Sequence, residues 1–189
     1  MKKFLVVVAS GVVLFLLTAY TVPIVMEPEP IGPPVAPEPR EFNDAVVQVY
    51  GADVWGLRGR FAIHTWIATK EVGARTYTIY QVVSWGLRRS GSAVSISQGM
   101  PNKPWFRSPP LLLHEVKGEA ARPLVEQVAN AVEAYPYAQE YTMWPGPNSN
   151  SFIEWIALEV PELGLTLPAK AIGKNWMQET YPSLALSRP

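Results

Sequence analysis

Residues 61–69 read FAIHTWIAT, a nine-residue run in which β-branched and aromatic side chains dominate and glycine and proline are absent. Such a run is a strand, and its alternation sorts the side chains into two sets: Ala62, His64 and Trp66 on one face, Ile63, Thr65 and Ile67 on the other. Similar runs flank it, AVVQVY over 45–50, TYTIYQVVSW over 76–85 and SAVSIS over 92–97, each set off by glycine-bearing segments. They read as antiparallel strands. The segment PNKPWFRSPP (101–110) is read as a surface loop, because its prolines lack backbone donors and restrict the residues before them.

Helical spacing takes over further along. Leu124, Val125, Val128, Ala129 and Val132 form one apolar stripe within 119–134. A second stripe comprises Phe152, Ile153, Ile156, Ala157 and Val160; it opens behind Asn148, Ser149 and Asn150, all competent N-caps, and closes at Pro161. Strands followed by helices, with no βαβ alternation, predict an α+β domain whose small antiparallel sheet is covered on one face by two or more helices.

This domain is expected over 44–189, behind two segments of different character. Phe4 to Met26 is an uncharged stretch of 23 residues, roughly 30 Å as a helix and matched to a bilayer core. Lys2 and Lys3 precede it and Glu27 and Glu29 follow it, so the positive-inside rule predicts a cytoplasmic N-terminus. Residues 1–26 are thus read as a transmembrane anchor, with a cleaved signal peptide as the alternative; Ala19 alone is a poor match to a small-residue cleavage site. Residues 27–43 form a linker; the six prolines of its Glu27 to Arg40 stretch favour extended polyproline II, reaching about 40 Å at ~3.1 Å per residue. The expected topology is single-pass in a bacterial inner membrane, with the C-terminal domain in the periplasm.

Composition narrows the chemistry. The 189 residues carry 16 basic and 16 acidic side chains, and removing Lys2 and Lys3 leaves 14 against 16. A domain of charge −2 with no basic patch is not expected to bind nucleic acid. There is no cysteine, which excludes disulfides, thiolate metal sites and a cysteine nucleophile. No metal-ligand spacing stands out and no cofactor is expected.

Only His64 and His114 can serve a histidine-dependent mechanism. His114, in LLLHEVKG, lacks the second histidine of an HExxH zinc motif and reads as structural. His64 shares a strand face with an indole. The segment YTMWPGPNSNSF (141–152) feeds a Pro-Gly-Pro turn into a polar helix start. A helix start exposes unpaired amides and a dipole that favours negative charge by about 0.3–1 kcal/mol, so Ser149 is either a stabilised nucleophile or an ordinary cap.

The motifs VVQVYGADVWGLRGRFAIHTWIATK, YQVVSWG, AYPY, WPGPNSNSF and LPAKAIGK, spread from Asp44 to Lys174, resemble the uncharacterised bacterial DUF family 3750. A strand histidine followed much later by a helix start is also similar, more distantly, to circularly permuted papain-like peptidases of the NlpC and PPPDE type. That resemblance implies a permuted papain-like fold with His64 as base and Ser149 at the position of the cysteine nucleophile. Serine ionises far less readily than a thiol, so it needs a base, a group orienting that base, and oxyanion donors. Tyr77, Gln81 and Glu71 are the orienting candidates. Backbone amides after Ser149, or the side chains of Asn148 and Asn150, are the candidate donors. Two functions of different class follow. One is a membrane-tethered Ser-His hydrolase or acyltransferase acting on an amide or ester of the cell wall or lipid layer. The other is a non-catalytic protein that binds a cell-wall peptide or lipid ligand between Trp66 and Trp144, or serves a structural role.

Overall fold

The computed structural model describes residues 36–182. The expected transmembrane segment and most of the linker lie outside the described residues. Five strands form one antiparallel sheet in the order β4-β3-β2-β1-β5, with β1 Val46–Asp53, β2 Ile63–Lys70, β3 Tyr77–Val82, β4 Val94–Gly99 and β5 Leu111–Lys117. Among the described residues four α-helices accompany it: α1 Gly86–Ser90, α2 Arg122–Glu133, α3 Ser149–Glu159 and α4 Trp176–Thr180. The chain is therefore α+β, as its patterning predicts.

The alternation read in residues 61–69 holds. Ile63 and Ile67 enter the main core, where they meet Phe152, Ile153 and Ile156 of α3 and Leu124, Val128 and Val132 of α2. Residues 149–158 of α3 are buried without exception, so this helix is enclosed on all sides rather than amphipathic. Trp155 Nε1 fastens it to α2 by donating to Ala131 O at 2.8 Å.

The other face of the sheet is covered too, which corrects the expectation of a one-sided sheet. β2 is buried along all eight residues. Ala36 and Phe42, assigned by sequence to the linker, pack with Val46, Ala68 and Tyr77, and Tyr77 Oη donates to Pro37 O at 2.8 Å. Trp105 packs with Tyr50, Ala52, Trp66 and Leu112. The proline-flanked loop over 101–110 therefore does not merely cross the surface; part of it closes over the sheet. β5, which carries His114, is a strand the sequence reading did not include.

β2 and β3 are paired only at Ile67↔Tyr80, Ala68↔Ile79 and Thr69↔Thr78. Towards His64 their ladder ends, and the N-terminus of α3 docks there on β2.

Candidate functional site

The start of α3 is fixed by a capping box. Asn148 is extended at φ −145°, and its Oδ1 accepts from the amides of Asn150 and Ser151 at 2.9 and 3.1 Å. Ser151 Oγ accepts in return from the Asn148 amide at 2.7 Å. The Phe152 amide donates to Asn148 O at 3.0 Å. The one first-turn donor left without a partner among the described residues is the amide of Ser149.

Both neighbouring asparagines are committed to structure. Asn148 Nδ2 donates to Met143 O and Ile172 O at 3.1 and 3.3 Å. Asn150 Nδ2 donates to Ile63 O and Ile172 O at 3.1 and 2.9 Å. The Thr65 hydroxyl shares its proton between Asn150 Oδ1 at 2.9 Å and Ser149 O at 3.2 Å. These bonds tie α3 to β2 and to the 168–175 segment, and they occupy the side-chain amides that the sequence offered as oxyanion donors. Gly173 makes the junction possible: its φ is +82°, and a Cβ there would stand 2.4 Å from both Asn148 Nδ2 and Pro145 O.

His64 sits on the sheet face opposite Thr65, as strand alternation requires. Its Nε2 lies 3.0 Å from Gln81 Oε1, so of the three orienting candidates Gln81 is the partner. Tyr77 is turned to Pro37 and Glu71 is exposed beyond the end of β2. With the amide oxygen as acceptor, Nε2 carries the proton and Nδ1 keeps its lone pair. Trp105 stacks on the imidazole, centroids 3.7 Å apart and planes 10° from parallel. A tight hairpin holds that indole: Trp105 and Ser108 exchange backbone bonds of 2.9 and 2.8 Å, and Phe106 and Arg107 between them adopt φ of 43° and 74°. Left-handed conformations at two non-glycine residues cost on the order of 1 kcal/mol each. Burial under Trp105 lowers the His64 pKa to about 4 despite the Gln81 bond, leaving the ring neutral at pH 7.

His64 and Ser149, 5% and 4% exposed, line one cleft of about 340 Å³ together with Trp55, Arg58, Phe61 and Tyr141. No hydrogen bond joins them. Among the described residues Ser149 Oγ and His64 Nδ1 make no hydrogen bond, and neither is sealed from solvent. Among the described residues Arg58 is its only charged lining residue.

The structure does not bring every sequence-derived site residue to this cleft. Trp66 is buried on the sheet, stacked on Tyr50, with Nε1 donating to Pro101 O at 3.0 Å. Trp144 faces a neighbouring groove of about 220 Å³ beside Trp176. The aromatic walls are Trp55, Phe61 and Tyr141 instead. His114 pairs with Val49 in the sheet and does not line the cleft. Sequence reasoning missed Trp105 and the Trp55–Phe61 wall; the latter had one signal, large apolar residues in VWGLRGRF broken by two glycines and two arginines. Among the described residues no cluster of His, Asp and Glu is placed to hold a metal ion.

Comparison with known families places the chain. The family model described as a protein of unknown function, DUF3750, matches residues 44–176, and the chain belongs to that family. No curated protein and no solved structure matches it.

Proposed function

We propose that this member of a family of unknown function is a membrane-tethered envelope hydrolase or acyltransferase of papain-like type, with Ser149 as nucleophile and His64 as general base. One observation carries the reading. The helix start commits every polar group around Ser149 except its own amide and hydroxyl, and His64 Nδ1 is the uncommitted atom of a ring whose other nitrogen is held by Gln81.

In this reaction Ser149 Oγ attacks the carbonyl carbon of an amide or ester and its proton passes to His64 Nδ1. The oxyanion accepts from the Ser149 amide, reinforced by the dipole of α3. The imidazolium then protonates the leaving amine or alcohol, and the acyl-enzyme transfers to water or to a second hydroxyl or amine. Gln81 keeps the proton on Nε2, and Trp105 shields that bond from water. Lys2 and Lys3 ahead of the apolar stretch support an exported domain, and reporter fusions beyond residue 60 test that topology.

A second reading has its own support. Ser149 and His64 are not bonded to each other, and a ring buried to a pKa of about 4 is a weak base, as suits a cleft that only binds a peptide or lipid. The two readings separate on the variant Ser149→Cys. Beside a histidine within reach and at a helix N-terminus, the thiol pKa falls well below ~8.5. Alkylation rate against pH, with and without His64→Ala, reads it: a His64-dependent low inflection supports the nucleophile site. An unshifted titration in both backgrounds leaves Ser149 a cap.

A further inference from the structure

The rim of the cleft carries an apolar surface that packing does not use. Trp55, Leu57 and Phe61 are 80, 79 and 73% exposed, all on or beside one 3₁₀ turn, Gly56–Arg60. Met143 and Trp144, 54 and 66% exposed, extend the surface from the loop across the cleft, and Arg58 Nη1 approaches Met143 Sδ at 3.9 Å. Isolated exposed apolar residues need no explanation, but three large ones lining one cavity, Trp55, Phe61 and Met143, with Leu57 and Trp144 next to them in sequence, do.

Charge identifies the occupant. Residues 54–62 hold two arginines, Arg58 and Arg60, and no acid, and residues 141–147 are uncharged. Two carboxylates border these stretches in sequence: Asp53, paired with Lys170 at 2.5 Å, and the exposed Glu140. Lys174 and Glu179 of the adjoining groove offset each other. Tryptophan, phenylalanine and leucine tips interleaved with arginine match a bilayer interface, where rings settle at the headgroup level and guanidinium groups meet lipid phosphates. A protein partner of matching shape would equally cover apolar area, but two exposed arginines on one short turn, neither in an ion pair among the described residues, favour a dense anionic surface.

We infer that this rim docks on a bilayer containing anionic lipid, holding the mouth of the cleft against the headgroup layer. Resting on the hydrolase or acyltransferase reading, this makes the substrate an amphiphile that enters from the membrane, its acyl part passing Trp55 and Phe61 and its anionic group meeting Arg58.

The absence of cysteine from the chain allows a clean test. An environment-sensitive fluorophore is attached to full-length Leu57→Cys and, as an equally apolar control on the edge strand β4, to Ile96→Cys; Phe61→Cys provides a second rim site should the label disturb the turn. In vesicles of phosphatidylcholine with phosphatidylglycerol, the rim labels shift to the blue and are quenched by a lipid-borne nitroxide, while the Ile96 label is not. The shift shrinks in phosphatidylcholine alone and when Arg58→Gln and Arg60→Gln are combined. Rim labels that stay in a water-like environment at both sites, as a protein-docking surface would, overturn the proposal, and so does a shift indifferent to phosphatidylglycerol. Repeating the measurement in Ser149→Ala keeps the two ideas apart, since docking persists there whether or not Ser149 is a nucleophile.

Discussion

Gln81 Oε1 accepts from His64 Nε2 at 3.0 Å beneath the Trp105 ring, and this bond determines which nitrogen of His64 faces the cleft. Replacing the amide by a carboxylate should stabilise the imidazolium. Gln81→Glu is expected to raise the His64 pKa from about 4 by about 1–3 units, the usual effect of an adjacent opposite charge. The chain has two histidines, so an NMR titration with His64→Asn as the assignment control reads the shift directly; an unchanged pKa would remove Gln81 from the site.

The buried imidazole also makes stability depend on pH. Its folded pKa is lowered to about 4 from 6.5, so between those values the unfolded chain binds the proton and the folded chain does not. The contribution is complete above about 6.5 and is lost as pH falls towards 4, by an amount on the order of 3 kcal/mol when fully expressed. Denaturant unfolding at pH 7 and pH 4.5 should show wild type losing more stability than His64→Asn across that interval. Equal losses would mean that His64 is not shielded.

The two asparagines flanking Ser149 should prove structural. Asn150→Ala leaves Ile63 O, Ile172 O and the Thr65 hydroxyl short of a buried partner, an expected cost of about 2–4 kcal/mol. Asn148→Ala removes the cap and is expected to cost about 1–2 kcal/mol or more. Thermal unfolding measures both; a neutral Asn150→Ala would show that its amide serves a ligand instead.

Much of this site was legible because it is locally encoded. An Asn-Ser-Asn run ahead of an apolar stripe specifies a helix start, and the alternation of FAIHTWIAT specifies the face of His64 before any partner is known. Trp105 was not legible. Its stacking on His64 comes from a proline-flanked loop folding back over the sheet, and only the left-handed hairpin at Phe106 and Arg107 makes that possible. Neither residue type advertises such a turn, which glycine or asparagine would have. Trp66 and Trp144 stand near His64 and Ser149 in sequence, whereas the aromatic walls of the cleft are Trp55 and Phe61 from the turn after β1 and Tyr141. β5 is not legible either, because LLLHEVK lacks strict alternation and carries charge.

Gly173 offers a test that leaves every reactive group in place. With φ at +82° and no room for a Cβ against Asn148 Nδ2 and Pro145 O, Gly173→Ala must displace the loop that anchors the cap. We expect a loss of at least about 2 kcal/mol in thermal or denaturant unfolding, as for other strained or overpacked sites. An alanine tolerated without loss would contradict the described junction of α3 with the 168–175 segment.

The central claim is that Ser149 is a nucleophile served by His64. Intact-mass and peptide analysis of the purified full-length protein after reaction with a fluorophosphonate probe addresses it directly. The expected result is a single adduct on Ser149 that is absent in Ser149→Ala, strongly slowed in His64→Ala, and formed at a rate that rises with pH through the His64 titration. A folded wild-type protein that stays unlabelled at Ser149, or is labelled equally well without His64, would contradict it.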